Sequence, residues 1–111
     1  MTRITSHVLD TSTGQPASGL TVRLERSGSG SSAPLASATT DGDGRVRDWL
    51  PAGVPAGRYR LVFETGAWFR ATGRETLYPD VVIEFEVLDG SSHYHLPLLL
   101  SPFGYSTYRG S

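Results

Sequence analysis

Three histidines, His7, His93 and His95, are all that the chain carries, and they fall in strand-like segments near its two ends. Side chains alternate along a strand, so His93 and His95 project from one face, about 7 Å apart by the per-residue rise. Near pH 7 a neutral imidazole serves as a general acid or base, or as a metal ligand. Two chemical readings follow. Metal-free acid–base chemistry ranks first, and a three-histidine zinc site with an open position for water ranks second. The plain alternative is that each histidine makes an ordinary hydrogen bond at a sheet surface, which two histidines on one strand face weaken.

Two further segments carry groups of interest. The loop TTDGDGR, residues 39–45, offers two acids and two glycines but fails as a calcium loop. Started at Asp41, the template puts Arg45 where an oxygen ligand is needed; started at Thr39, it puts Leu50 where the bidentate glutamate belongs. A turn with Gly42 and Gly44 at positive φ, aiming Arg45 at the start of a strand, fits better. The closing STYRGS reads structurally as a last strand and a frayed tail. It also places Tyr108, Arg109, a serine hydroxyl and a carboxylate within four residues, and an ordered tail could hold a small polar heterocycle through directed hydrogen bonds.

Other chemistries lack their residues. There is no cysteine, hence no thiol nucleophile, disulfide or thiolate metal site. All ten basic residues are arginine, which removes Schiff-base and phosphate-loop lysines. No GxSxG elbow occurs, and Glu84 and Glu86, opposite an apolar strand face, read as the wet side of a sheet rather than a catalytic pair. A formal charge of −1 gives no basic footprint for nucleic acid. No apolar run is long enough to span a membrane, no leader is evident, and the ending RGS is not the peroxisomal tripeptide, so a cytoplasmic protein is expected.

The elements that must position these groups are short alternating segments separated by Gly, Pro, Asp and Ser clusters, the pattern of an all-β sandwich or barrel. Strands are expected over Arg3 to Asp10, Leu20 to Arg26, Leu35 to Thr40, Val46 to Leu50, Arg58 to Thr65, Val81 to Asp89, His93 to Ser101 and Tyr105 to Arg109. Eight strands suit two stacked antiparallel four-stranded sheets. In VVIEFEVLD, Val81, Ile83, Phe85 and Val87 share one face, and Tyr59, Leu61 and Phe63 repeat the device. Between them, RATGRETLYPD carries Thr72 three residues before Glu75, the spacing of a capping box, and one short helix is expected there, stopped by Pro79. SGSGSSAP, residues 27–34, reads as a mobile connection. At 111 residues and 38% apolar content, a single domain over residues 1–111 is expected.

Three separated segments, SHVLDTSTGQPA from Ser6, TTDGDGRV from Thr39 and HYHLPLLLSPFGYSTYRGS from His93, together make the chain resemble the 5-hydroxyisourate hydrolases of the transthyretin-like family. The specific signal is the HxHxPLLLSP stretch followed by YRGS. Phe103 stands where the family pattern has tyrosine, Asp41 where asparagine is frequent, and the glycine-serine loop is this chain's own. The resemblance implies a transthyretin-like sandwich with one helix between the fifth and sixth strands. It implies hydrolysis of 5-hydroxyisourate to 2-oxo-4-hydroxy-4-carboxy-5-ureidoimidazoline in urate breakdown, without cofactor or metal. It also implies a catalytic set of His7, Arg45, His95 and Ser111, with His7, Arg45 and Tyr108 binding substrate and His93 nearby. A homotetramer with active sites in a channel between subunits is implied as well.

Two rival classes use the same fold. Transthyretin is a hormone carrier, and an adhesive sandwich would have no turnover at all. The carrier has no use for paired histidines, an arginine and a YRGS tail. The adhesive reading leaves the histidine clustering without a purpose.

Overall fold

The computed structural model describes residues 1–28, 32–88 and 92–111. Its strands are β1 (Arg3–Asp10), β2 (Gln15–Pro16), β3 (Thr21–Ser27), β4 (Ser32–Thr39), β5 (Arg45–Val46) and β6 (Gly57–Phe63). After helix α1 (Thr65–Ala71) come β7 (Val81–Val87), β8 (His93–Ser101) and β9 (Gly104–Thr107). One sheet runs β4-β3-β6-β7; the other runs β2-β1-β8-β9, with β5 added to β1. The alternation has the consequence expected of it: Tyr59, Leu61, Phe63, Val81 and Val87 are buried, and so are Ile4, Val8, Leu98 and Leu100 from the facing sheet. Glu84 and Glu86 are exposed.

The all-β sandwich matches the expectation, with differences in its parts. The sheets have five and four strands, because a two-residue strand at Gln15–Pro16 pairs with Leu9 and Asp10. Not every pair is antiparallel: β1 and β8 run parallel over their shared length, Arg3 opposite His93 through Asp10 opposite Leu100. The strand expected over Val46 to Leu50 is only Arg45–Val46. Asp48 turns the chain at φ 59, and the Trp49 indole donates to the Ile4 carbonyl at 2.8 Å, which pulls the segment out of the ladder. β4 begins at Ser32, inside the run expected to be a connection; the middle of that run, 29–31, lies outside the described residues, as does Asp89 of the strand expected to end there. The last strand closes at Thr107 rather than Arg109.

The helix is displaced from its expected place. It occupies Thr65–Ala71, directly after β6, and Thr72 sits at its C-terminal end rather than its start. The Thr72 hydroxyl donates to the Phe69 carbonyl at 2.8 Å, and Gly73 at φ 76 ends the helix. The NH groups of Gly73 and Arg74 reach the Arg70 and Phe69 carbonyls, satisfying groups a helix end leaves open. Phe69 must be buried to close the sandwich, and it is fully so. That tertiary demand outweighs the Thr72 and Glu75 spacing.

Arg74 ties this helix to β1. Its guanidinium lies 4.9 Å from the centre of the Phe69 ring and donates to Oδ2 of buried Asp10 at 2.8 Å. Burial alone would raise the Asp10 pKa, but hydrogen bonds from Ser12 and Arg74 outweigh it and hold the carboxyl below the usual range. The stability this contributes is fully present above the unfolded pKa, about 3.9, and is lost as pH falls through the lower folded value. Asp10→Asn is therefore expected to flatten the fall of unfolding free energy below about pH 4, measured by urea titration at a series of pH values. Arg74→Ala should cost roughly 1–3 kcal/mol at neutral pH, because it strips the buried carboxylate of its cation.

Candidate functional site

The parallel pairing of β1 with β8 brings the two ends of the sequence side by side. Thr5 lies opposite His95, Arg3 opposite His93, and His7 opposite Pro97. Ile4, Ser6 and Val8 point into the core, so Arg3, Thr5 and His7 share the outer face with His93 and His95. The His93 and His95 ring centroids are 6.5 Å apart, as strand alternation requires.

On the other edge of β1, β5 sets Arg45 directly opposite His7. The turn before it is built for that purpose. Asp41 Oδ1 accepts from the NH groups of Asp43 and Arg45 at 2.9 and 3.0 Å, and the Gly44 carbonyl accepts from Val8 NH at 2.8 Å. Gly44 has φ 77, and a Cβ there would stand 2.5 Å from the Val8 carbonyl oxygen, so only glycine fits. Gly42, also expected at positive φ, is not among the residues in that region.

The C-terminal residues fold back over β8. Thr107 donates to the Pro97 carbonyl at 2.7 Å, the Arg109 guanidinium sits 4.0 Å from the Tyr94 ring centre, and Gly110 NH donates to the His95 carbonyl at 2.7 Å. A Cβ on Gly110 would stand 2.6 Å from His95 Cδ2, so this close approach also depends on glycine. The tail is ordered by these contacts and delivers Ser111 to the histidine face.

The result is a pocket of about 200 Å³ lined by Arg45, Arg47, His93, His95, Ser111 and Thr5 among others. Of the expected set, the structure brings Arg45, His95 and Ser111 together at this pocket. His7 is beside it, across the strand from Arg45 and close enough to His95 to act on its charge. Tyr108 is elsewhere: it is exposed and lines a separate groove with Ile83, Phe85, Tyr94 and Leu96. The tail turns between Tyr108 and Ser111, so the two residues serve different surfaces. Among the described residues no three His, Cys, Asp or Glu side chains group as a metal would require.

Thr5, like Arg47, lines the site although the sequence alone did not single it out. Its hydroxyl oxygen lies 2.9 Å from His93 Nε2 and 2.8 Å from His95 Nδ1. Its position two residues before His7, on the same strand face, was the available signal; its partner strand was not.

Burial pushes the His95 pKa down, and the Arg45 cation, His93 and His7 push it further the same way. His95 therefore stays neutral at pH 7 and keeps a ring nitrogen able to accept a proton. In a titration followed by imidazole C–H resonances, His95 is expected to protonate only below the ordinary histidine value of about 6.5. Arg45→Gln should move that midpoint upward, since it removes a like charge.

Comparison with known proteins agrees with the fold. The model of the family described as HIUase/Transthyretin family matches residues 4–110. The chain is similar to 5-hydroxyisourate hydrolase 2 of Rhizobium meliloti, 46% identical over 115 residues that cover 98% of this chain and 96% of that protein. Among solved structures, that of the Klebsiella pneumoniae 5-hydroxyisourate hydrolase superposes with a TM-score of 0.88 at 47% identity, covering 98% of this chain and 99% of that one. Sea bream transthyretin in complex with thyroxine superposes with a TM-score of 0.91 at 29% identity, covering 97% and 94%.

Proposed function

The chain belongs to the HIUase/Transthyretin family, and from that premise we propose that it hydrolyses 5-hydroxyisourate at the pocket of His95, Arg45 and Ser111. The observation that carries this reading is the convergence of those three groups, from β8, β5 and the tail, on one pocket beside His7. Fold likeness does not separate a hydrolase from a carrier, since both kinds of relative superpose closely. The pocket's chemistry separates them: a neutral histidine, a fixed cation and a hydroxyl suit polar catalysis rather than retention of an apolar hormone.

In the proposed reaction a water molecule, oriented by the Ser111 hydroxyl, gives a proton to His95 and attacks the ring amide carbonyl of 5-hydroxyisourate. Arg45 holds the urate-like ring and stabilises the developing oxyanion with directed donors. His7 protonates the departing ring nitrogen, and the C–N bond breaks to give 2-oxo-4-hydroxy-4-carboxy-5-ureidoimidazoline. The two histidines are interchangeable in these roles; Arg45 takes neither, because a guanidinium does not release its protons near neutral pH and has no acceptor for another. No metal or cofactor is needed for any of these steps. Tyr108 lines the groove beside the tail in its own subunit.

The same reading places the chain in urate breakdown in the cytoplasm, as a homotetramer. No helix of the described residues is long and apolar enough to cross a membrane. Turnover against retention is the test. With 5-hydroxyisourate generated in place by a urate-oxidising enzyme, the protein is expected to speed the loss of its ultraviolet absorbance. Tight retention of an iodinated aromatic hormone with no change in that decay would assign the carrier role instead.

A further inference from the structure

We propose that Thr5 links His95 to His93 as a proton relay, so that the proton taken from the attacking water finishes on His93 at the rim of the pocket. The inference rests on the hydrolase reading above and adds a function for two residues which that reading leaves without one. Its basis is the single hydroxyl within hydrogen-bond distance of both rings, 2.8 Å from His95 Nδ1 and 2.9 Å from His93 Nε2.

A hydroxyl has one proton to donate and lone pairs to accept. Thr5 therefore cannot donate to both nitrogens at once, and the two tautomers are coupled. In one arrangement His95 Nδ1–H donates to Thr5, and Thr5 donates to the bare Nε2 of His93. His95 Nε2 is then the free acceptor, ready to take a proton from water. In the other arrangement every hydrogen bond is reversed, and His95 Nε2 carries a proton.

The first arrangement becomes the second by moving three protons in one direction. Water gives a proton to His95 Nε2 as its oxygen bonds to the substrate carbonyl carbon. His95 Nδ1 releases its proton to Thr5 Oγ1, and the Thr5 hydroxyl proton passes to His93 Nε2. His95 and Thr5 end neutral. His93, protonated at both nitrogens, carries the positive charge that balances the negative charge on the tetrahedral intermediate.

The surroundings favour that destination. His95 is half-buried and faces like charge from Arg45 of β5, from His93 and from His7 of β1, with Arg47 lining the same pocket. His93 also has cations about it, Arg3 opposite it on β1, Arg47 in the adjoining groove and Arg109 at its carbonyl, but it is exposed, so water screens them, solvates its imidazolium and can carry the proton away. Ser111 supplies the polar group facing His95 from the tail.

Three variants and one isotope measurement test the relay. Thr5→Val keeps the side-chain shape without the hydroxyl, Thr5→Ser restores the hydroxyl, and His93→Gln keeps an amide near Thr5 that cannot take the proton. Thr5→Val and His93→Gln are each expected to lower kcat by about 10- to 100-fold, the lower part of what positioned acid–base groups contribute, with KM little changed. Thr5→Ser should recover most of the lost rate. The Thr5→Val/His93→Gln double variant should be no slower than either single one, because both break one path. In mixtures of light and heavy water, kcat of the wild type should fall along a curve, several protons being in flight, and along a straight line in both single variants.

Wild-type kcat falling along a straight line, or both single variants remaining within about twofold of the wild type, would overturn the relay. If Thr5→Val does not fold, His93→Gln and the wild-type isotope curve decide the matter. A wild type that leaves 5-hydroxyisourate decay unchanged would instead overturn the hydrolase reading itself. Loss of activity in His95→Ala with Thr5→Val and His93→Gln fully active would remove the relay alone.

Discussion

Replacing His95 by alanine is expected to lower kcat for 5-hydroxyisourate hydrolysis by about 10²- to 10⁴-fold, the contribution typical of a positioned general acid or base. His7→Ala should fall in the same range, because the departing nitrogen needs its proton as much as the water needs to lose one. Neither change should unfold the protein. Both side chains lie on the outer face of the sheet, half-buried, while the core is made by their strand neighbours Ile4, Val8, Leu96 and Leu98. Circular dichroism and melting curves like those of the wild type, together with collapsed turnover, are the expected pair of results. Near-normal turnover in both variants would remove the assignment of acid and base.

Removing Tyr108 to Ser111 is expected to abolish measurable turnover, a loss of more than about 10³-fold, since it takes away the group that orients water and uncovers His95. The sandwich should survive. The deleted segment gives the fold one backbone hydrogen bond from Gly110 to His95, the Arg109 stacking on Tyr94 and a long Arg109 hydrogen bond to the His93 carbonyl at 3.4 Å. A melting temperature lower by no more than about 8 °C, equivalent to roughly 1 kcal/mol, is the expected cost. Gly110→Val approaches the same question with one side chain. Its Cβ would fall 2.6 Å from His95 Cδ2, so the tail or the imidazole must shift, and activity should drop sharply without a corresponding loss of fold. Full activity in either protein would show that the ordered tail is not part of the site.

The fold and the site were legible to different depths, for physical reasons. Alternation in Val81–Val87 and Gly57–Phe63 is a local property of the chain, and it predicted which side chains fill the core. The two bounding histidine strands, Arg3–Asp10 and His93–Ser101, were likewise readable to the residue. What alternation cannot state is which strands pair, because the same face pattern fits any neighbour. The parallel register of β1 and β8 joins residues about ninety positions apart and is decided by the packed sandwich as a whole. For that reason Thr5 went unremarked in the sequence, although it touches both histidines.

The helix gives the complementary lesson. Thr72 and Glu75 have the spacing of a helix start, yet Gly73 in a left-handed conformation and the buried Phe69 make Thr72 a helix end. A glycine one residue after the threonine was the signal in the sequence that favoured termination. Arg45 was placed correctly by turn chemistry, since Asp41 and Gly44 act through bonds only a few residues long. Tyr108, a substrate contact by the family resemblance, lies in another groove of its own subunit, since alternate residues of an extended tail face different ways.

The central claim, that this pocket hydrolyses 5-hydroxyisourate, is tested most directly by following the ultraviolet absorbance of freshly generated substrate while the protein is titrated in from zero. The account predicts a first-order decay constant that rises linearly with protein concentration above the spontaneous rate. A decay constant that stays at the spontaneous rate throughout the titration, with the protein folded, would contradict it.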